Sequence, residues 1–242
     1  MKYEQMNNNK VMLTGKVVSK AKFSHETFGE GFYELTLAVP RLSDKEDLIP
    51  VLVSEKLLTD GRFDMGNTVR IKGQFRSYNK NEGERSKLIF VREVVENMDE
   101  SINPNIIEIN GFICKPPIYR TTPFKREICD ILVAVNRAYN KSDYLPCIAW
   151  GRNARYIKNI QIGSKLFIVG RIQSREYQKK LEDGQIENKT AYEISITRIQ
   201  TDGINAIDEN LTNPDDDAIN ICFTTTQGLH SDMWTAKENS IS

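Results

Sequence analysis

Asn105-Ile106-Ile107-Glu108-Ile109-Asn110-Gly111 repeats, at a distance of about 96 residues, the pattern Asn9-Lys10-Val11-Met12-Leu13-Thr14-Gly15. Three further blocks keep an offset of 96 to 97 residues. Leu37-Ala38-Val39-Pro40-Arg41 lines up with Val133-Ala134-Val135-Asn136-Arg137, and Asp47-Leu48-Ile49-Pro50 with Asp143-Tyr144-Leu145-Pro146. Gly66-Asn67-Thr68-Val69-Arg70-Ile71-Lys72-Gly73 lines up with Gly163-Ser164-Lys165-Leu166-Phe167-Ile168-Val169-Gly170. A period this long exceeds a solenoid unit and fits a duplicated small domain. Register held over four separate blocks makes the copies homologous.

Each copy reads as strands. In the second, Ile106 to Ile113, Ile128 to Val135, Tyr144 to Trp150, Leu166 to Ile172 and Ala191 to Ile199 are short, apolar and rich in β-branched residues. Tyr192-Glu193-Ile194-Ser195-Ile196-Thr197 alternates with period two, the mark of a strand with one buried face. A single helix is expected over residues 151–160, and over 54–63 in the first copy. Five strands with a helix between the third and fourth is the order of the OB barrel. The expected fold is therefore all-β, with two tandem five-stranded OB-fold barrels at residues 1–96 and 105–200. A polar linker, 97–104, joins them. The acidic stretch 201–242, interrupted by Pro214, is expected to be disordered.

Charge is zero in total but unevenly placed. Residues 105–200 carry about +7, residues 1–104 about zero and residues 201–242 about −7, a distribution that points to a polyanion partner. Cys114, Cys129, Cys147 and Cys222 form no CxxC pair, and His25 and His230 are the sole imidazoles. No metal site or cofactor is expected from that set. Phosphate-binding loops and nucleophile–base signatures are missing, so an enzyme has nothing to stand on. The lack of an apolar leader or an 18-residue apolar run leads to the expectation of a reduced, cytoplasmic protein without membrane contact.

The second copy interleaves aromatics with cations. Tyr139, Tyr144, Trp150, Tyr156 and Tyr177 lie among Arg137, Lys141, Arg152, Arg155, Arg171, Arg175, Lys179 and Lys180. Cations neutralise phosphates and release counterions, while flat rings stack on bases with little sequence preference. The run from Arg171 through Gln173 to Lys180 is read as a hairpin arm able to wrap a strand against the barrel.

Three blocks carry a family resemblance: Ala134-Val135-Asn136-Arg137, Asp143 through Arg152, and Val169 through Tyr177. Residues 105–200 resemble the OB domain of bacterial single-stranded DNA-binding proteins, in a tandem variant. The resemblance implies sequence-independent coating of single-stranded DNA in replication, recombination and repair. It further implies stacking by Tyr139, Tyr144, Trp150 and Tyr177, a basic contact at Arg120, and a homodimer that brings four barrels together. The first copy departs from the pattern, with Leu48 for Tyr144, Ser54 for Trp150 and Lys80 for Tyr177. It is expected to bind weakly, through Arg41, Arg76, Tyr78 and Lys80, and to serve chiefly in assembly. The tail departs as well, because its acidic run Asp215-Asp216-Asp217 is internal. Replication or repair proteins are its expected partners. The competing readings are an RNA- or tRNA-binding OB protein and an OB scaffold that binds only proteins.

Overall fold

The computed structural model describes residues 7–41, 43, 45–81, 84–96, 103–180 and 185–201; the tail and most of the linker lie outside them. The first copy runs β1 (Asn9–Val17), β2 (Lys22–Thr27), β3 (Glu30–Pro40), β4 (Glu46–Ser54), α1 (Glu55–Leu58), β5 (Thr68–Asn81) and β6 (Glu84–Val95). The second runs β7 (Asn105–Ile113), β8 (Ile118–Thr121), β9 (Glu127–Arg137), β10 (Lys141–Trp150), α2 (Gly151–Ile157), β11 (Lys165–Lys180) and β12 (Ile186–Thr201). Each copy thus holds one strand more than expected. The additions, β2 and β8, are exposed at every residue, so neither shows the alternation by which a half-buried strand is recognised. The helices are shorter than expected, α1 giving way to a turn in which Gly61 takes a left-handed φ of 73°.

The motif that opens each copy explains how the barrel closes. In β7, alternate residues Ile107, Ile109 and Ile113 point into the core. Its glycine, Gly111, lies where the strand crosses from β11 to β9, and a Cβ there would stand 2.5 Å from Val133 and 2.7 Å from the carbonyl of Ala134. Only glycine permits that approach. Gly15 does the same in β1, against the carbonyl of Ala38. The motif's first residue acts as a false strand edge. Asn105 accepts from the Ile172 amide at 2.9 Å and donates to its carbonyl at 2.7 Å, and Asn9 treats Phe75 in the same way.

The same motif joins the copies. β1 and β7 pair antiparallel about Val11 and Ile107, giving the sheet order β2-β3-β4-β6-β5-β1-β7-β11-β12-β10-β9-β8, a palindrome about the junction. Both barrels belong to one unit. The junction is isologous, as in a two-fold dimer, but formed within one chain. Flanking it, each barrel sends one fully buried aspartate to the other. Asp47 accepts from the amide and hydroxyl of Ser174 at 2.7 and 3.0 Å, and Asp143 from those of Ser77 at 2.8 and 3.3 Å.

Candidate nucleic-acid interface

Strand register decides which side chains share a face. In β10, Asp143, Leu145, Cys147 and Ala149 turn inward, leaving Tyr144, Ile148 and Trp150 on the outer face. Arg120, Ile128 and Trp150 form one row across β8, β9 and β10. Ile118, Asp130, Ile148, Ser195 and Arg171 form the next row, which carries the face onto β12 and β11. Along β11 the parity of Arg171 is shared by Gln173, Arg175 and Tyr177. Glu193 holds two of these, accepting from Gln173 at 2.8 Å and lying 3.7 Å from Arg175.

The outer face therefore brings together Arg120, Tyr144, Trp150, Arg171, Gln173, Arg175 and Tyr177. Tyr144, Trp150 and Tyr177 are 37, 38 and 39% exposed, enough to offer a ring while its base stays packed. Trp150 is aimed by local backbone. The next residue, Gly151, takes a φ of 49°, which turns the chain sharply from β10 into α2. Arg171 is half-buried; burial, and then the neighbouring charge of Arg41, lower its pKa against the pull of Asp47. Tyr139 projects from the β9–β10 turn with a left-handed φ of 61° and is 78% exposed.

Other expected residues fall elsewhere. Arg137 has inward parity and lies 3.5 Å from Asp143, at the junction. Arg41 holds Asp47 at 2.6 and 2.8 Å and donates to the Ser174 carbonyl, so it too serves the junction. Arg155 pairs with Glu127, beside Tyr119 and on the opposite side of β9 from Asp130, and Arg152 is exposed on α2. Arg120 is tied to Asp130 at 2.8 Å and reaches a ligand only by sharing that partner. The backbones of Lys80, Lys179 and Lys180 lie in β5 and β11, and their side chains are outside the described set. Burial pushes the Cys129 thiol up to about 11 and raises that of Cys147 too, so both behave as small core hydrophobes. Among the described residues no group of three or more His, Cys, Asp or Glu is placed to hold a metal.

The first barrel carries a feature that the sequence reading missed. On its outer face His25 stacks on Phe32 at 5.2 Å, and Phe32 meets Phe90 at 5.8 Å. Arg76 and Arg92 lie over the Phe90 ring, 4.1 and 4.7 Å from its centre. Alternation in Ile89-Phe90-Val91-Arg92 signals it, since Ile89 and Val91 are core while Phe90 and Arg92 face out.

Residues 104–202 match the model of the single-strand binding protein family. Over 107 residues the chain is 28% identical to single-stranded DNA-binding protein 1 of Staphylococcus aureus strain COL, and equally to protein 2 of strain MSSA476. The match takes in 41% of this chain and spans 59% of the length of those relatives. Among solved structures, the chain resembles a deletion mutant of the single-stranded DNA binding protein from Thermus aquaticus. Identity there is 16%, the TM-score 0.61, and coverage 84% of this chain and 98% of that one. The wild-type Thermus aquaticus protein gives 15% identity and a TM-score of 0.59 over 82% and 95%. That likeness extends the OB architecture over both barrels. Residues 104–202 thus resemble the single-strand binding protein family.

Proposed function

We propose that this chain binds single-stranded DNA without sequence choice, chiefly on the outer face of the second barrel. One observation carries the reading: Tyr144, Trp150 and Tyr177 share a single sheet face with Arg120, Arg171 and Arg175. Rings on this face offer stacking surfaces for bases, and the guanidinium groups donate to phosphates. No catalytic step is needed, and the protein acts by coating and protecting the strand in replication, recombination and repair. The working division is two domains, 1–96 and 105–200, with the linker between and the acidic stretch 201–242 as a docking element for replication or repair proteins. Two such chains would assemble four barrels as a homodimer in the cytoplasm, at the nucleoid.

Titration with oligo(dT), followed by tryptophan fluorescence at several salt concentrations, tests the reading. Binding with a steep negative salt slope is expected, weakened by about 1–3 kcal/mol in Trp150→Ala. Absence of binding at low salt would leave the protein-only scaffold in its place. Sedimentation of the full chain at micromolar concentration tests the homodimer.

A further inference from the structure

We propose that Arg76 and Arg92 of the first barrel, with Arg137 of the second, form a phosphate seat that carries a bound single strand from the second barrel onto the first. The inference rests on the proposed DNA binding and deepens it. Arg76 and Arg92 share one acceptor, Gln74 Oε1, at 2.8 and 3.4 Å, and one platform, the Phe90 ring. Among the described residues neither guanidinium has a carboxylate within 4 Å, and the buried Nε of Arg76 has no hydrogen-bond partner. Asp143 is the acid that answers this cluster, and it is already engaged by Ser77 and Arg137. Burial, and then the like charges of Arg92 and Arg137, bring the Arg76 pKa down to about 10, with Asp143 opposing. Three cations facing a single acid form a site that an anion relieves.

The duplicated architecture separates function from folding. At the matching place in the second barrel, Gln173 stands for Arg76, Arg171 for Gln74 and Ser195 for Phe90. There the junction aspartate, Asp47, is closed by Arg41 at 2.6 Å, and Gln173 is held by Glu193. Since that half folds without a stacked arginine pair, the pair in the first half is not a requirement of the fold. Its position fits a strand in transit. The Tyr144 amide donates to Ser77 Oγ, next to Arg76 in sequence, so the strand that carries Tyr144 meets the strand that carries Arg76. Beyond Phe90, the Phe32–His25 stack continues the aromatic surface.

The test uses the full chain and two oligo(dT) lengths, one of about 12 nucleotides, near the capacity of one OB face, and one about three times as long. The variants are Arg92→Gln, Arg76→Gln with Arg92→Gln, and Arg92→Lys. Arg92 is exposed and glutamine already occupies the matching site of Arg76, so folding is preserved, which thermal melting confirms. The double variant is expected to lose about tenfold in affinity for the long oligomer. Its salt slope should shrink by roughly 1.4, at about 0.7 for each phosphate left without its arginine. The short oligomer should bind as it does to the wild type, and Arg92→Lys should retain the slope. Equal long-oligomer affinity and slope in wild type and double variant, with Trp150→Ala still weakening the short oligomer, would overturn the seat and spare the proposed function. Failure of the wild type to bind either length would remove both. Stabilisation by inorganic phosphate, abolished in the double variant without any change in DNA binding, would mark a free-anion site and equally overturn the proposal.

Discussion

Ser54 and Trp150 occupy the same place in the two barrels, at the end of the strand that leads into the helix, and they do opposite things. Ser54 caps α1, its hydroxyl accepting from the Lys56 amide at 3.2 Å. Trp150 leaves α2 without a side-chain cap and turns its ring to the outer face. A hydroxyl at an N-cap stabilises by about 1 kcal/mol, and an indole there gives this up. One barrel uses the position for its own stability, the other sacrifices stability for an exposed ring. Local rules are broken in proteins mostly where function demands it. The copy that breaks this one is the copy proposed to do most of the binding.

The junction aspartates offer the sharpest way to test such divergence. Burial alone would raise the pKa of both. For Asp47 the bonds from Arg41 and Ser174 outweigh burial and bring it below the ordinary range. For Asp143 burial prevails over Ser77 and the more distant Arg137 and leaves it raised, with Oδ2 buried and unpartnered among the described residues. Asp47→Asn is expected to cost about 3 kcal/mol in urea unfolding at neutral pH, the low end for breaking a buried pair because Arg41 keeps some exposure. Asp143→Asn should be neutral or stabilising, since an amide oxygen still accepts from Ser77 and a carboxyl whose pKa stays raised despite Arg137 and Arg76 no longer has to ionise. Equal penalties would erase the asymmetry.

Next in size is the pair at the helix entrance. Trp150→Ala should weaken oligo(dT) by about 2 kcal/mol. The corresponding Ser54→Ala should leave affinity alone and lower stability by about 1 kcal/mol, seen as a shifted urea midpoint with an unchanged slope. Loss of DNA affinity in Ser54→Ala would contradict this division of labour between the barrels. The smallest effect is in the pH dependence. A depressed carboxyl supports the fold above its unfolded pKa, about 3.9, and that support is lost as pH falls through the folded value. A raised carboxyl does the reverse, costing stability as pH rises from about 3.9 through its folded value. Relative to wild type, Asp47→Asn should therefore lose its penalty in acid, while any gain from Asp143→Asn should appear only as pH climbs. Urea midpoints measured from pH 3 to 7 would reveal parallel curves if the sign assigned to either residue is wrong.

The duplicated barrels, the helix slot and the outer placement of Tyr144 were legible in the sequence because each leaves a period. Alternation reports burial, and burial repeats with the strand. What left no period was not legible. β2 and β8 are wet on both faces, so their composition matches a loop. The aligned Asp47 and Asp143 were visible as a repeat, yet their partners lie 127 and 66 residues away in the other barrel, a pairing that no local pattern encodes. That Arg41 and Arg137 face these aspartates was hidden for the same reason, since a basic residue beside a strand reads alike whether it meets a phosphate, a buried acid or both. The Phe32–Phe90 surface escaped the repeat because the first copy puts its aromatics on different strands from the second, so the aligned positions do not point to it.

Joining β1 to β7 within one chain has a consequence for how such a molecule diversifies. Two separate identical subunits meeting across a dyad must accept every substitution twice, once on each side, and must find each other again after every dilution. Here the mates share one polypeptide, so their encounter is unimolecular and independent of concentration. Each half has its own codons and can change alone. Serine at one helix entrance with tryptophan at the other, or stacked arginines beside one aspartate and a tight ion pair beside its counterpart, are asymmetries that a dimer of identical single-barrel chains has no means of writing down.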